Sequence, residues 1–88
     1  MISKVLIQRR INDIEHSILP QDIDSTYVKL GRIDILYWLI NNEIEDKERV
    51  LTKIKRIQEE MIPLQANDVM YQEKQARIKE LEFCMRDS

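Results

Sequence analysis

Apolar positions along this chain recur at steps of three and four residues, a period that predicts helices from end to end. Ile7, Ile11, Ile14 and Ile18 place one apolar face on a segment from Ser3 to Leu19. Ser3 is suited to cap it, and Ile2 with Ile7 has the spacing of a hydrophobic staple. Pro20 interrupts the pattern. A second helix is expected from about Asp24, its cap, to Ile40, with Ile23 and Val28 as the staple. Residues 35–40 read Ile-Leu-Tyr-Trp-Leu-Ile, apolar nearly all round. Such a stretch needs cover on several sides, either at the centre of the fold or against another copy. Asn41 and Asn42 end it. A third helix is expected to begin within Asn42–Asp46, where Asn42 and Glu45 have capping-box spacing. Val50, Ile54, Ile57, Met61 and Leu64 give it a narrow a/d stripe. A fourth runs from about Asn67 to Arg86, with Tyr71, Ile78, Leu81 and Met85 as its stripe. Glu45–Arg49, Lys55–Glu59, Glu73–Arg77 and Glu82–Arg86 are i,i+4 pairs that suit solvated outer faces.

One pattern crosses Pro63. Val50, Ile57, Leu64, Tyr71, Ile78 and Met85 are spaced by seven throughout. Pro63 lacks an N–H and disfavours helical geometry at Ile62. Either one long helix kinks there, or two helices fold back as a hairpin, for which Asn67-Asp68 offers capping chemistry. The fold class is therefore all-α, with three or four antiparallel helices in a hairpin-like bundle, over a single domain spanning 1–88.

Composition narrows the function classes. The chain has 88 residues, so its core is small and self-association would add cover. Lys and Arg total 14 against 16 Asp and Glu, which argues against a generic nucleic-acid binder. Segment 43–63 carries six acids and five bases, including Lys47, Arg49, Lys53, Lys55 and Arg56, and reads as a salt-paired solvated face. One cysteine excludes an internal disulfide, and with one histidine it cannot complete a structural zinc site. The longest apolar run is six residues, too short for a membrane span, and the N-terminal run is too short for a secretory signal. A cytoplasmic protein is expected. There are 14 isoleucines and two alanines, usage associated with AT-rich genomes, phages and low-GC bacteria among them.

No catalytic constellation emerges. His16 has Asp13 and Glu15 nearby but no second ligand motif, and Cys84 has no base partner in sequence, so neither enzyme, cofactor nor metal chemistry is expected. The second helix is the informative element. Tyr27, Gly31, Asp34 and Trp38 share a face, and a glycine inside a helix costs roughly 1 kcal/mol against alanine. Close helix packing at Gly31 is one explanation, and a notch for a planar ligand is the other. Ser25, Lys29 and Arg32 align near the helix N-terminus, where an anion is favoured. With Arg9 and Arg10 from the first helix, they and Tyr27 form the candidate ligand set. Trp38, Val50, Ile54, Ile57 and Met61 form the candidate face for a partner or a second copy.

Leu30-Gly31-Arg32-Ile33-Asp34-Ile35-Leu36-Tyr37-Trp38-Leu39 resembles a pattern found in many small phage-encoded helical proteins: a Gly-Arg-Ile start, an acid, then an aromatic-aliphatic close. The resemblance implies action by binding. Some such proteins inhibit a host enzyme or defence complex, and some are helical oligomers that sequester a cyclic nucleotide. The expectation is a non-enzymatic homo-oligomer that blocks a host protein as a counter-defence inhibitor or adaptor. A nucleotide sponge and a structural or chaperone subunit are the alternatives.

Overall fold

The structure is a computed structural model that describes residues 2–17 and 23–86, with side chains described for 2–17 and 26–86. Its described residues form four helices and no strand: α1 (Lys4–Glu15), α2 (Ile23–Asn41), α3 (Lys47–Met61) and α4 (Val69–Arg86). The Ser3 hydroxyl accepts the Leu6 N–H at 3.4 Å to cap α1, and Ile2 and Ile7 are both buried beneath that end. Ile18, Leu19 and Pro20 lie outside the described residues. So do the side chains of the expected Asp24 cap and of Ile23; α2 itself starts at Ile23.

The end of α2 corrects the expected start of α3. Glu43 takes a left-handed backbone (φ 51°). Its N–H donates to the Ile40 carbonyl and the Ile44 N–H to the Leu39 carbonyl, the paired bonds of a Schellman ending. Ile44 and Leu39 are both buried, supplying the apolar contact that goes with it. The chain thus needs residues 42–45 to reverse, so Asn42 and Glu45 form no capping box. The Asn42 amide instead donates to the Trp38 carbonyl at 2.9 Å. Asp46 caps α3, its carboxylate accepting the Glu48 N–H at 2.9 Å.

At Pro63 the chain folds back, and the continuous kinked helix is not adopted. Ile62 keeps helical angles (φ −53°, ψ −46°), so the proline acts less by expelling its neighbour than by having no N–H to donate. Leu64 N–H then donates to the Met61 carbonyl at 2.9 Å, and the Asp68 carboxylate accepts the Met70 N–H at 3.0 Å to start α4. Lys74 pairs with Glu60 at 2.7 Å across the hairpin.

The most extensive interface joins α2 to α4, with α1 packed on α2 and α3 on α4. Gly31 meets Glu73 and Asp34 meets Arg77, so α2 and α4 advance in the same direction. Sequence neighbours run antiparallel, as the hairpin at Pro63 requires. The all-round apolar stretch of α2 sits at the centre: Ile35, Leu36 and Leu39 are fully buried. Val50, Ile54 and Ile57, expected at a face between copies, are buried in the same cluster as Ile78, Leu81 and Cys84. Met61 packs partly against it. Their stripe is occupied within the chain because a hairpin this short has no other apolar surface to seal it.

A left-handed residue other than glycine costs about 1–2 kcal/mol, part of which glycine gives back through its freer unfolded chain. Glu43→Gly is therefore expected to raise stability by up to about 1 kcal/mol, and Glu43→Val to lower it. Urea midpoints at constant m-value measure both; a loss in the glycine variant contradicts the assignment of this turn.

Candidate functional site

The sequence places Glu73, Arg77, Glu80 and Cys84 at steps of four, three and four, on the side of α4 that meets α2. Glu80 is the buried charged residue of the described chain, 3% exposed. Arg10 from α1 grips it with two bonds, Nε to Oε2 and Nη2 to Oε1, each 3.0 Å. Arg32 from α2 donates Nε to Oε1 at 2.7 Å. One carboxylate thus joins three helices, and both arginines keep about a third of their side-chain surface in solvent. The hydrogen bonds to Glu80 raise the Arg10 pKa above its ordinary value, against the opposing effect of burial. Arg10 also lies 4.5 Å from the Phe83 ring centroid.

Next along the seam is the notch at Gly31. A Cβ there would stand 2.7 Å from Glu73 Cγ, so the glycine marks close approach of α4 rather than an open slot. Arg77 bonds both Glu73 and, at 3.1 Å, Asp34. The Glu73–Arg77 pair therefore forms as the spacing predicts, but at a helix junction instead of an outer face.

Of the candidate ligand set, the structure brings together Arg10 and Arg32, and does so on Glu80. They line an open groove of about 670 Å³ with Phe83, Lys79 and Arg86. Arg9 is exposed and does not line it. Tyr27, 52% exposed, lies on the solvent side of α2, because two residues along a helix is a turn of about 200° from Lys29. Lys29 donates Nζ to the Ser17 carbonyl at 2.8 Å, and the Ser25 side chain lies outside the described residues. His16 directs Nδ1 to the Asn12 carbonyl at 2.7 Å, and Cys84 is buried in the core. Among the described residues no group of three His, Cys, Asp or Glu gathers as metal ligands, and no helix is long and apolar enough to cross a membrane.

Two further hollows were not anticipated. One, about 520 Å³, runs between α3 and α4 over Met61, Leu64, Tyr71 and Ile78, with Gln58, Gln75, Lys79 and Glu82 at its rim. Ile62, 80% exposed, stands at its end. The seven-residue spacing across Pro63 was the sequence signal for this groove. The other, about 220 Å³, lies at Trp38 beside Arg49, Thr52, Lys53 and Arg56. Lys53 Nζ sits 5.0 Å from the indole centroid, leaving Trp38 half-buried.

Two predictions test the seam. Arg32→Met leaves Arg10 bidentate on Glu80 and is expected to cost about 1 kcal/mol. Arg10→Met with Arg32→Met strands a buried carboxylate and is expected to cost about 3–5 kcal/mol, more than the single losses together. Losses that simply add would contradict the clasp. Gly31→Ala should destabilise the native chain, yet stabilise a Glu73→Ala background by up to about 1 kcal/mol, where helix propensity alone operates. Thermal melts of the four proteins decide it.

Comparison of the chain with protein-family models, with curated proteins and with solved structures finds no match.

Proposed function

We propose that this chain is a non-enzymatic binding protein that captures a protein partner by seating one of its helices in the α3–α4 groove. The observation that carries this is the groove itself: an apolar floor of Met61, Leu64, Tyr71 and Ile78, a mixed rim, and Ile62 projecting at its end. A trough between two helices takes the i, i+3, i+4 and i+7 side chains of a third. The rim carries one cation, one carboxylate and two amides, so it selects for neither sign and suits a protein helix over a polyanion. The likeness of residues 30–39 to small phage-encoded helical proteins supports a host protein as that partner, with the chain acting in the cytoplasm as an inhibitor or adaptor. Nucleotide sequestration by the expected ligand set is less well supported, since Glu80 holds both arginines and Tyr27 points elsewhere. Self-association remains compatible with this reading, through surfaces other than the buried stripe of α3.

A photo-crosslinking residue placed at Gln75, on the rim, is compared in the protein's own cells with one at Gln8, exposed on α1. Gln75 is expected to trap a protein that Gln8 does not. With that protein purified, Ile62→Ser should weaken binding at least about tenfold while leaving stability within about 0.5 kcal/mol. Equal trapping from both positions, or unchanged affinity, would refute the groove as the docking site.

A further inference from the structure

The hollow at Trp38 has a charge pattern that the fold does not use. Arg49, Lys53 and Arg56 follow one another at i, i+4 and i+7, so they share a face of α3 over about 10 Å. Like charges at these spacings work against the helix that carries them. Segment 43–63 holds more acids than bases, yet among the described residues none of them forms an ion pair with these three cations. Asp46 caps α3. Glu60, which lies on the basic face one turn beyond Arg56, is bound to Lys74, and that hydrogen bond, with smaller contributions from the charges of Lys74, Lys53 and Arg56, holds its carboxyl below the usual range. Glu48 lies about 80° or more around the helix from all three cations, and Glu59 about 60° from Arg56 and about 80° or more from the other two. None of the residues lining the hollow is acidic. The expected salt-paired face forms only at Glu60: among the described residues, neither Arg49 nor Arg56 has an ion-pair partner within 4 Å, and Lys53 engages the indole.

We infer that this hollow binds a nucleotide phosphate, with the planar base laid against Trp38 and the phosphate held by Arg49, Lys53 and Arg56. Guanidinium groups bind phosphate oxygens through paired, charge-assisted hydrogen bonds. Indole gives a stacking surface that every base can use. Lys53, whose ammonium lies over the indole at 5.0 Å from its centroid, has to move off the ring onto the phosphate for the base to stack there. A volume of about 220 Å³ holds the phosphate and one edge of the base, so the rest of the ligand extends into solvent. That geometry suits a free nucleotide or one unit of a single strand. It is separate from the α3–α4 groove and does not depend on it.

Trp38 is the one tryptophan of the chain, which makes its emission a direct reporter. The whole chain is titrated with adenosine 5′-monophosphate, with a single-stranded deoxythymidine oligonucleotide of about ten residues, and with inorganic phosphate. A saturable change is expected with the nucleotide, the strand or both. Arg49→Gln and Arg56→Gln should each weaken it about tenfold with an unchanged melting temperature, and Lys55→Gln, on another face of α3, should not. Tighter, salt-sensitive binding of the strand identifies a strand as the source, and equal affinity identifies a free nucleotide. No response at millimolar concentration, inorganic phosphate binding as tightly as the nucleotide, or binding unaffected by both arginine substitutions would overturn the inference.

Discussion

A carboxylate removed from water must be paired, and Glu80 is paired with arginines lying 70 and 48 residues away in the chain. That requirement brings α1, α2 and α4 to one point. Isoleucine packing has no direction of its own. A helix held by Ile7, Ile11 and Ile14 alone could slide or rotate over its neighbour with little penalty. The two-bond grip of Arg10 on Glu80, with its stem over Phe83, removes that freedom for α1. The same carboxylate takes Arg32, so the register of α1 and that of α2 are set against a common atom pair. Removing the carboxylate's partners is costly in a chain this small, where total stability is only a few times the value of such a clasp.

The clasp works because α2 and α4 come close. Gly31 has no side chain to hold them apart, and Glu73 fills the space a Cβ would need. From there the seam proceeds through Asp34–Arg77 to Arg32–Glu80. This places helices two and four in contact and leaves one and three on the outside, each sealing one flank. The arrangement answers the problem posed by residues 35–40. With α1 and α4 against it, α2 buries Ile35, Leu36 and Leu39, and leaves Tyr27, Leu30 and Tyr37 on the solvent side. The Tyr37 hydroxyl meets Glu15, a hydrogen bond that raises the phenol's pKa.

Much of the fold is legible in the sequence because isoleucine spacing reports a buried face directly. The steps Ile7–Ile11–Ile14 and Val50–Ile54–Ile57 mark residues that are all buried. Ser3 is read as a cap and Asn67-Asp68 as capping chemistry, of which Asp68 takes the role, since short polar side chains before a periodic run have few other uses. Glu80 is hidden for the opposite reason. A charged residue among Glu73, Arg77, Lys79 and Glu82 looks solvated, and only the 4-3-4 step leading to Cys84 hints that it faces inward. Asp46 is passed over for Asn42 because the left-handed turn at Glu43 leaves no local signature; glycine or asparagine would have announced it. The proposed ligand set mixes residues close in sequence but not on a common face. Tyr27 and Lys29 are neighbours on paper and opposed on the helix.

Net charge is a poor guide to this surface. The chain carries two more acids than bases. Several of those acids do structural work: Asp46 and Asp68 cap helices, Glu80 holds the clasp, Glu60 closes the hairpin, and Asp34 and Glu73 share Arg77. A carboxylate bound to a cap or a guanidinium contributes little field beyond its partner. What the solvent meets is the remainder, and at Trp38 the remainder is three cations around an indole with no acid among the residues lining the hollow. An acidic isoelectric point and a locally basic, aromatic hollow are therefore consistent in one small helical chain. The same logic separates the two surfaces of its hairpin. Between α3 and α4, charges of both signs and amides surround an apolar floor, which suits a helix. In the hollow at Trp38, cations are the only charged residues that line the ring's surroundings, which suits an anion that carries one.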